Sequence, residues 1–464
     1  MELRVLATVA LAIILISRAD SAEKGDDGNY ESLFLTPYIK AGQIDLARKL
    51  SRVKLFEDLI GAETHSGYIT TDSWKKSNLF FLHIRALRRS SLQRHVNVVY
   101  LDQPVGAGYS FTKGLLGYAK DLNDVSSGVL TFLDQFITMF PEYANRTFYV
   151  GGESYGARFA VGVSHAIHVG KEPRVPLHLR GVILGAGFLG RLMKVADSSA
   201  FLYEMSLVTK KGRKSLAESF ADMRRKVRTL IGKLAALLRL RKTIFTSEKK
   251  PTLFQKLTGF NNQASALYSE RPMNMVQYEK YVQSDAFKRA VHIGRDVEFM
   301  KDEGKVATSL KNDYPDRHKT HYYCRCPLIA AYVTAKQPPW SPLRLRHEIE
   351  ALLQSYKVLF YTGQMDTLFP SRNLQEYFRS LDWTGAEEFR KAEPKHWKAY
   401  PTSRSVSGLV IRVRNMTDVV LFRAGHYTAV DEPDAANKMM LNFIEDNAKE
   451  WGIPDHAETS EKRG

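Results

Sequence analysis

One stretch of the sequence carries the strongest indication of the fold class: Phe148-Tyr149-Val150-Gly151-Gly152-Glu153-Ser154-Tyr155-Gly156-Ala157-Arg158. It begins with residues typical of a buried strand, and a helical pattern follows it through Ile167. Between the two, Gly152-x-Ser154-x-Gly156 has the form of the sharp strand-to-helix turn that exposes a serine hydroxyl above a sheet. The stretch therefore predicts a serine nucleophile in an α/β protein. A tight structural turn is the alternative.

The rest of the chain repeats the alternation of strands and helices. Short runs rich in β-branched and aromatic residues occupy 96–101, 147–151, 179–184, 357–361 and 419–422. One-sided apolar patterns at 121–140 and 434–444 predict helices between and after them. Alternating strands and helices are typical of an α/β fold with a mostly parallel central sheet flanked by helices.

The predicted domain organisation is a core interrupted by an insertion. Strand patterns disappear between about 192 and 321, where helical and charged sequence predicts an inserted helical cap. The core is expected in two parts, 23–191 and 322–455, preceded by a signal peptide at 1–22 and followed by a polar tail at 456–464.

Composition excludes several classes of protein. The chain has 464 residues, of which 44% are hydrophobic and 25% charged, so it is neither disordered nor of low complexity. No apolar run approaches the ~20 residues that cross a bilayer, so no transmembrane anchor is expected. Cys324 and Cys326 are too close for an easy disulfide, and we expect them to be free or one of them to pair intermolecularly. Their role stays open.

The net charge of +17 is concentrated in one segment. Residues 210–250 hold 14 Lys or Arg against 3 Asp or Glu, which gives +11 and leaves +6 for the rest of the chain. Such a segment is either the solvated face of an amphipathic helix or a surface for an anionic partner. The helical interpretation is favoured because apolar residues recur at helical spacing: Leu216, Phe220, Met223, Val227, Leu230, Leu234, Leu237 and Leu238. No nucleic-acid-binding motif accompanies the charge, so nucleic acid is not an expected partner.

The N-terminus predicts entry into the secretory pathway. A charged start, an apolar run from Val5 to Ile16 and small residues near Ala22 have the form of a cleaved signal peptide. Two Asn-x-Thr sequons, at Asn145 and Asn415, are then candidates for glycosylation. We expect a secreted or lysosomal protein.

A serine hydroxyl needs a base to accept its proton, and that base needs a carboxylate to orient it. In hydrolases with this turn the order along the chain is serine, acid, histidine. Asp366 follows the predicted strand 357–361, and His426 follows the strand 419–422 after a glycine. The sequence therefore predicts a Ser154, Asp366 and His426 triad.

These residues and their neighbours resemble the serine carboxypeptidase family, closest to its vitellogenic carboxypeptidase-like branch. The resemblance covers most of the predicted mature chain and is carried by these segments: Gly152-Glu153-Ser154-Tyr155, Gly363-Gln364-Met365-Asp366, Ala424-Gly425-His426, Asp102-Gln103-Pro104-Val105-Gly106-Ala107-Gly108-Tyr109-Ser110, Ser66-Gly67-Tyr68 and Trp383-Thr384-Gly385. It implies an α/β-hydrolase fold with a helical cap. It also implies removal of C-terminal residues from peptides with a free C-terminus, at acidic pH.

Two residues beside the nucleophile are candidates for further roles. The backbone N–H of Tyr155, directly after the serine, is the expected oxyanion donor. A protonated Glu153 could donate a hydrogen bond to the terminal carboxylate of a substrate, which suits an exopeptidase that works in acid. The alternative for Glu153 is a plain polar flank of the turn.

The chain departs from the family between Phe81 and Val98. A strand and a glycine-rich loop that supply an oxyanion donor, an asparagine and a second glutamate are absent there; residues 82–97 contain no Gly, Asp or Glu. Losing one oxyanion donor costs about 10²- to 10³-fold in turnover. The chain is therefore either an impaired carboxypeptidase, a shortened or defective version of one, or a non-catalytic binding protein on the same scaffold. A lipase or esterase of the same fold is a third possibility. No metal or nucleotide motif is present, so no cofactor is predicted.

Overall fold

The computed structural model describes residues 30–86, 96–170, 175–227, 230–247, 250–299, 342–446 and 451. The predicted signal peptide, the polar tail, both cysteines and most of the interval where the glycine-rich loop is absent lie outside these ranges. The chain divides into two compact units. The first comprises Met1–Thr147, Ala166–His178 and Arg271–Ser341, and the second comprises Phe148–His165, Leu179–Glu270 and Pro342–Gly464.

Ten strands form two sheets in the described residues. The strands are β1 (Thr64–Asp72), β2 (Ser77–Ile84), β3 (Val98–Leu101), β4 (Phe111–Thr112), β5 (Arg146–Glu153), β6 (Leu177–Gly185), β7 (Lys357–Gly363), β8 (Lys395–Trp397), β9 (Gly408–Val413) and β10 (Met416–Leu421). One sheet has the order β1-β2-β3, with β4 also paired to β2. The other has the order β5-β6-β7-β10-β9-β8.

Seventeen α-helices accompany these strands in the described ranges. They are α1 (Thr36–Lys40), α2 (Ile44–Leu50), α3 (Lys54–Ile60), α4 (Leu122–Met139), α5 (Gly156–Val169), α6 (Leu192–Val195), α7 (Ser199–Glu204), α8 (Lys210–Lys226), α9 (Leu230–Thr243), α10 (Leu253–Thr258), α11 (Met273–Val282), α12 (Asp285–Ala290), α13 (Pro342–Ser355), α14 (Ser371–Arg379), α15 (Ala386–Lys391), α16 (Thr428–Asp431) and α17 (Pro433–Ile444). Among the described residues, no helix combines the length and the apolar character that a membrane crossing requires.

The first unit is built on antiparallel strands. β1 pairs with β2, and β2 pairs with both β3 and β4, in each case antiparallel. The predicted helix at 121–140 is confirmed as α4, which begins where the Asp121 side chain accepts the N–H of Asp124. The seven apolar residues that share its predicted face are all buried: Leu122, Val125, Val129, Phe132, Leu133, Phe136 and Phe140.

The six-stranded sheet of the second unit carries the parallel pairings that the sequence predicts. β7 is parallel to β6 on one side and to β10 on the other. All but the first residue of β7 are buried, which explains why its sequence is an unbroken apolar run. β9 and β8 extend the sheet in antiparallel fashion.

The sheet arrangement corrects the prediction in one respect. The sequence predicted a single central sheet, whereas the described strands form two, and β3 pairs antiparallel with β2 instead of lying in a parallel core. Local patterns identify strands but do not identify their neighbours.

The described part of the predicted insertion contains helices α6 to α12 joined by loops, and no strand. The compact units divide it, however: residues to Glu270 group with the second unit, and those from Arg271 group with the first. In α8 and α9 the apolar side chains Leu216, Phe220, Met223 and Leu237 are buried as the helical interpretation requires, but Leu238 is 46% exposed. Asp222 pairs with three of the cations, Arg225, Lys226 and Arg239.

Buried histidines make the first unit sensitive to acid. His83 is fully buried, its ring is stacked on that of His65 at 5.9 Å, and its Nε2 lies 3.1 Å from the Tyr143 hydroxyl. Burial, and secondarily the neighbouring His65 and Arg85, lowers the pKa of His83 to about 3. An unfolded chain therefore takes up a proton on this histidine before the folded one does, so the contribution of His83 to stability is present above pH 6.5 and is lost as the pH falls towards 3.

We expect His83→Phe to change the free energy of unfolding more favourably at pH 4 than at pH 8, by roughly 3 kcal/mol. The reason is that the substitution removes the cost of keeping this imidazole neutral in acid. The measurement is urea unfolding at the two pH values. His396→Phe, at an exposed histidine of β8, is the control for adding a phenylalanine. Equal effects of His83→Phe at both pH values would contradict the assignment.

Candidate active site

Ser154 lies on the strained turn that the sequence predicts. β5 ends at Glu153 and α5 begins at Gly156, so the turn between them is two residues long. Ser154 has a φ of 55°, a left-handed conformation that costs a non-glycine residue about 1–2 kcal/mol. A Cβ on Gly152 would overlap the backbone of Gly156, so only glycine fits that position. The Ser154 N–H donates to the carbonyl oxygen of Gly185 at 2.8 Å, which ties the turn to the end of β6.

The Ser154 hydroxyl is buried and makes no hydrogen bond to any residue that the structure describes. The serine-to-histidine hydrogen bond of a closed triad is therefore not formed in this conformation. Such bonds are often loose in the absence of substrate and tighten in the substrate complex. The hydrogen bond between the acid and the histidine, by contrast, is formed.

Asp366 and His426 form a buried pair. Both follow adjacent parallel strands, β7 and β10, and both are at most 1% exposed. Nδ1 of His426 lies 2.8 Å from Oδ2 of Asp366. The other carboxylate oxygen, Oδ1, accepts the backbone N–H groups of Leu368 at 2.8 Å and Phe369 at 2.9 Å. The carboxylate is thus fully engaged, and the pairing fixes the imidazole with its Nδ1 proton towards the acid.

Close approach of the loops after β7 and β10 brings the pair together. A Cβ on Gly363 would overlap the carbonyl oxygens of Ala424 and Gly425, so the absence of a side chain permits the contact. The Met365 N–H donates to the carbonyl oxygen of Ala424 at 2.8 Å. The Gly425 N–H donates to the Asp431 carboxylate at 2.7 Å.

Glu153 faces the histidine loop. Its Oε1 is buried and has no hydrogen-bond partner among the described residues. Burial raises the pKa of Glu153 to about 7, while nearby His426 and a hydrogen bond from the backbone of Thr428 act in the opposite direction. The side chain is accordingly a protonated acid under mildly acidic conditions, with one oxygen uncommitted.

Tyr155 completes the turn, and a buried arginine supports it. Tyr155 is 3% exposed and packs edge-on against Phe159, with the ring centroids 5.1 Å apart. The Arg158 guanidinium lies over the Phe188 ring at 4.8 Å and near the Tyr155 ring at 5.7 Å. Arg158 lies within the motif, but nothing in the sequence pattern indicates a role for it. Its cation–π contacts with two rings favour the packing beneath the turn that carries Ser154.

The two sequons differ in access. Asn145 is exposed and has a φ of 58° in the turn before β5. Asn415 donates its side-chain amide to the carbonyl oxygen of Leu353 at 2.9 Å, and its partner Thr417 is buried within β10. This geometry favours Asn145 over Asn415 as a site for glycosylation. Within the described ranges no cluster of three or more His, Cys, Asp or Glu side chains is arranged to hold a metal ion.

A serine on a strand-to-helix turn, with a buried aspartate–histidine pair after neighbouring parallel strands, is the arrangement of the α/β hydrolases. A solved structure agrees on the fold. The yeast (Saccharomyces cerevisiae) prohormone-processing carboxypeptidase Kex1 aligns over 83% of this chain and 91% of its own, with a TM-score of 0.59 and 15% sequence identity.

Among the α/β hydrolases, sequence similarity indicates one family. The serine carboxypeptidase family profile matches residues 87–446, so the chain belongs to the serine carboxypeptidase family of hydrolases. The human probable serine carboxypeptidase CPVL is 27% identical, with 91% of this chain and 90% of the relative covered. The venom serine carboxypeptidase of Apis mellifera is 26% identical over 89% of this chain and 90% of its own, and the vitellogenic carboxypeptidase of Aedes aegypti is 26% identical over 92% and 93%. The predicted fold class and family are therefore confirmed, and the division of the described strands between two sheets is the one departure from the predicted fold.

The raised pKa of Glu153 predicts how stability depends on pH. Because the folded-state pKa is about 7 against an ordinary 4.5, the unfolded chain loses this proton first, and stability is lost as the pH rises between those values. We expect Glu153→Gln to change the free energy of unfolding more favourably at pH 8 than at pH 4.5, by roughly 3 kcal/mol. Denaturant unfolding at both pH values measures this. Glu387→Gln, at an exposed glutamate of the same unit, is the control, and a pH-independent effect of Glu153→Gln would refute the buried-acid interpretation.

Proposed function

We propose that the chain is a serine carboxypeptidase that releases C-terminal residues from peptides by means of Ser154, His426 and Asp366. The observation that carries the proposal is the buried hydrogen bond between His426 Nδ1 and Asp366 Oδ2, beside the end of a sheet that also presents Ser154 on a left-handed turn. Membership of the serine carboxypeptidase family supports the same reaction.

In the proposed reaction Ser154 Oγ attacks the carbonyl carbon of the last peptide bond, and its proton passes to Nε2 of His426. The backbone N–H of Tyr155 stabilises the oxyanion that forms. The C–N bond then breaks, and His426 gives its proton to the departing amino group. His426 then takes a proton from water, and the oxygen of that water adds to the acyl carbon. The bond from the acyl carbon to Ser154 Oγ breaks as His426 returns the proton to Oγ, and Asp366 stabilises the imidazolium in both steps.

Glu153 is proposed to bind the terminal carboxylate of the substrate. Its unpartnered Oε1 and its pKa of about 7 favour a protonated acid that donates a hydrogen bond at acidic pH. Above pH 7 an ionised Glu153 would repel the substrate carboxylate instead. Substrate binding should therefore weaken as the pH rises through neutrality.

A non-catalytic binding protein is the second candidate, favoured by a specific observation. The interval 82–97 lacks the glycine-rich loop that supplies an oxyanion donor in the family, and Ser154 Oγ is without a hydrogen-bond partner in the described structure. A protein of this kind would bind C-terminal peptides without turning them over.

We also propose that the protein enters the secretory pathway and carries a glycan at Asn145. The apolar N-terminal run supports entry, and the exposure of Asn145 supports modification there rather than at Asn415. An anionic partner for the basic face of α8 and α9 stays a prediction from charge alone.

The test is hydrolysis of N-blocked dipeptides at pH 5 by the wild type, Ser154→Ala and Asp366→Asn. We expect turnover to fall by about 10⁶-fold in Ser154→Ala, which lacks the nucleophile, and by about 10⁴-fold in Asp366→Asn, which favours the wrong imidazole tautomer. Glu387→Gln serves as the surface control. Wild-type turnover equal to that of Ser154→Ala, with peptide binding retained, would instead establish the binding protein, and a preference for short-chain esters over free terminal carboxylates would establish an esterase.

A further inference from the structure

A buried segment of the helical insertion contacts both loops that carry the aspartate and the histidine. Residues Asn262–Leu267, here called the strap, follow α10, and three of them are at least nine-tenths buried: Asn262, Gln263 and Ser265. The strap lies in a loop whose ends are held together, because the N–H of Asn261 donates to the carbonyl oxygen of Ser269 at 2.6 Å.

The strap is bonded to the aspartate loop on both sides of Asp366. The Ala266 N–H donates to the carbonyl oxygen of Met365 at 2.8 Å. The hydroxyl of Thr367, 2% exposed, donates to the carbonyl oxygen of Gln263. The two residues that flank the acid are thus both fixed to one short segment.

The same segment holds the histidine loop. The backbone N–H of His426 donates to the carbonyl oxygen of Ala264 at 2.8 Å. Ser265 packs so closely against Gly425 that a Cβ there would overlap the serine side chain. The strap therefore contacts the aspartate loop and the histidine loop through four consecutive residues, 263–266.

Side-chain hydrogen bonds give the strap its own shape and link it to the helices. Asn262 Oδ1 accepts the N–H of Ala264 at 3.1 Å, and Ser265 Oγ accepts the N–H of Leu267 at 3.2 Å. Thr246, just beyond α9, donates its hydroxyl to the side-chain oxygen of Gln263 at 2.6 Å. The conformation of the strap does not depend on its contacts with the two loops alone.

We infer that the strap is a positioning element that holds Asp366 and His426 in their hydrogen-bonding geometry. The inference rests on the proposed function, since it assigns the strap to the same reaction. None of its residues is a catalytic residue, and each acts through the backbone of a loop that carries one. Errors of about 1 Å in the placement of such groups cost about 10²-fold in rate, so a segment that fixes both partners at once has a large effect on turnover.

Thr367→Val tests the inference because it keeps the shape of the side chain and removes the hydrogen bond to Gln263. We expect kcat on a blocked dipeptide to fall by about 10- to 100-fold with KM little changed, because the strap acts on the reacting groups and not on substrate contacts. Thr367→Ser, which keeps the hydroxyl, should restore most of the activity.

Thr243→Val is the matched control. Thr243 is also 2% exposed, but its hydroxyl donates to the carbonyl oxygen of Arg239 at 2.7 Å and lies 3.0 Å from the Ser219 hydroxyl, and neither partner belongs to the strap. It should lower thermal stability to a similar degree as Thr367→Val and leave kcat unchanged. Equal loss of kcat in both variants would show a general effect of destabilisation and would overturn the inference.

A readout that needs no turnover separates this inference from the proposed function. The proton between His426 Nδ1 and Asp366 should give a low-field resonance in the proton NMR spectrum of the wild type, and the resonance should weaken or exchange faster in Thr367→Val but not in Thr243→Val. A wild type that shows this resonance but turns over no peptide would refute the carboxypeptidase proposal and leave the strap supported. The positioning role of the strap would be overturned if both the resonance and kcat were unchanged in Thr367→Val. It would also be overturned if the wild type lacked the resonance.

Discussion

Two parallel strands end side by side in the second unit, and the loops that leave them approach until Gly363 has no space for a side chain against Ala424 and Gly425. That close contact constrains much of the surrounding structure. It brings an aspartate and a histidine from positions 60 residues apart in the chain to 2.8 Å, in surroundings from which water is excluded. A carboxylate in such surroundings is stable only if its oxygens are bonded, and the N–H groups of Leu368 and Phe369 meet that need.

The sequence predicts the residues of the candidate site better than it predicts which strands pair with one another. Ser154, Asp366 and His426 were identifiable because each follows a recognisable strand, and the glycines beside them indicate where backbone must approach backbone. The arrangement of strands into two sheets was not identifiable, because the runs at 96–101 and 357–361 look alike although β3 is half-exposed and antiparallel while β7 is buried and parallel. The strap left no signal either, since its three hydrogen bonds to the loops use its own backbone groups, which any residue would supply.

Burial of ionisable groups makes the stability of the two units respond to acid in opposite directions. The second unit buries Glu153 and Asp418, and burial raises the pKa of both to about 7, so acid relieves the cost of keeping them inside. In the first unit, burial lowers the pKa of His65, His83 and His292, so acid adds a cost. Asp102, whose pKa burial raises to about 6, offsets part of that cost. An acidic working pH would thus suit the candidate site better than it suits the antiparallel sheet.

The order of strands in the six-stranded sheet has a consequence for biosynthesis. β10 is the last of the described strands along the chain, yet it lies inside the sheet, between β7 and β9. During translation the ribosome must deliver residue 421 before that gap can be filled, and the histidine emerges only after it. A nascent polypeptide that stalls earlier would lack the histidine of the candidate site and would leave the facing edges of β7 and β9 unpaired, and unpaired strand edges are prone to association with other chains.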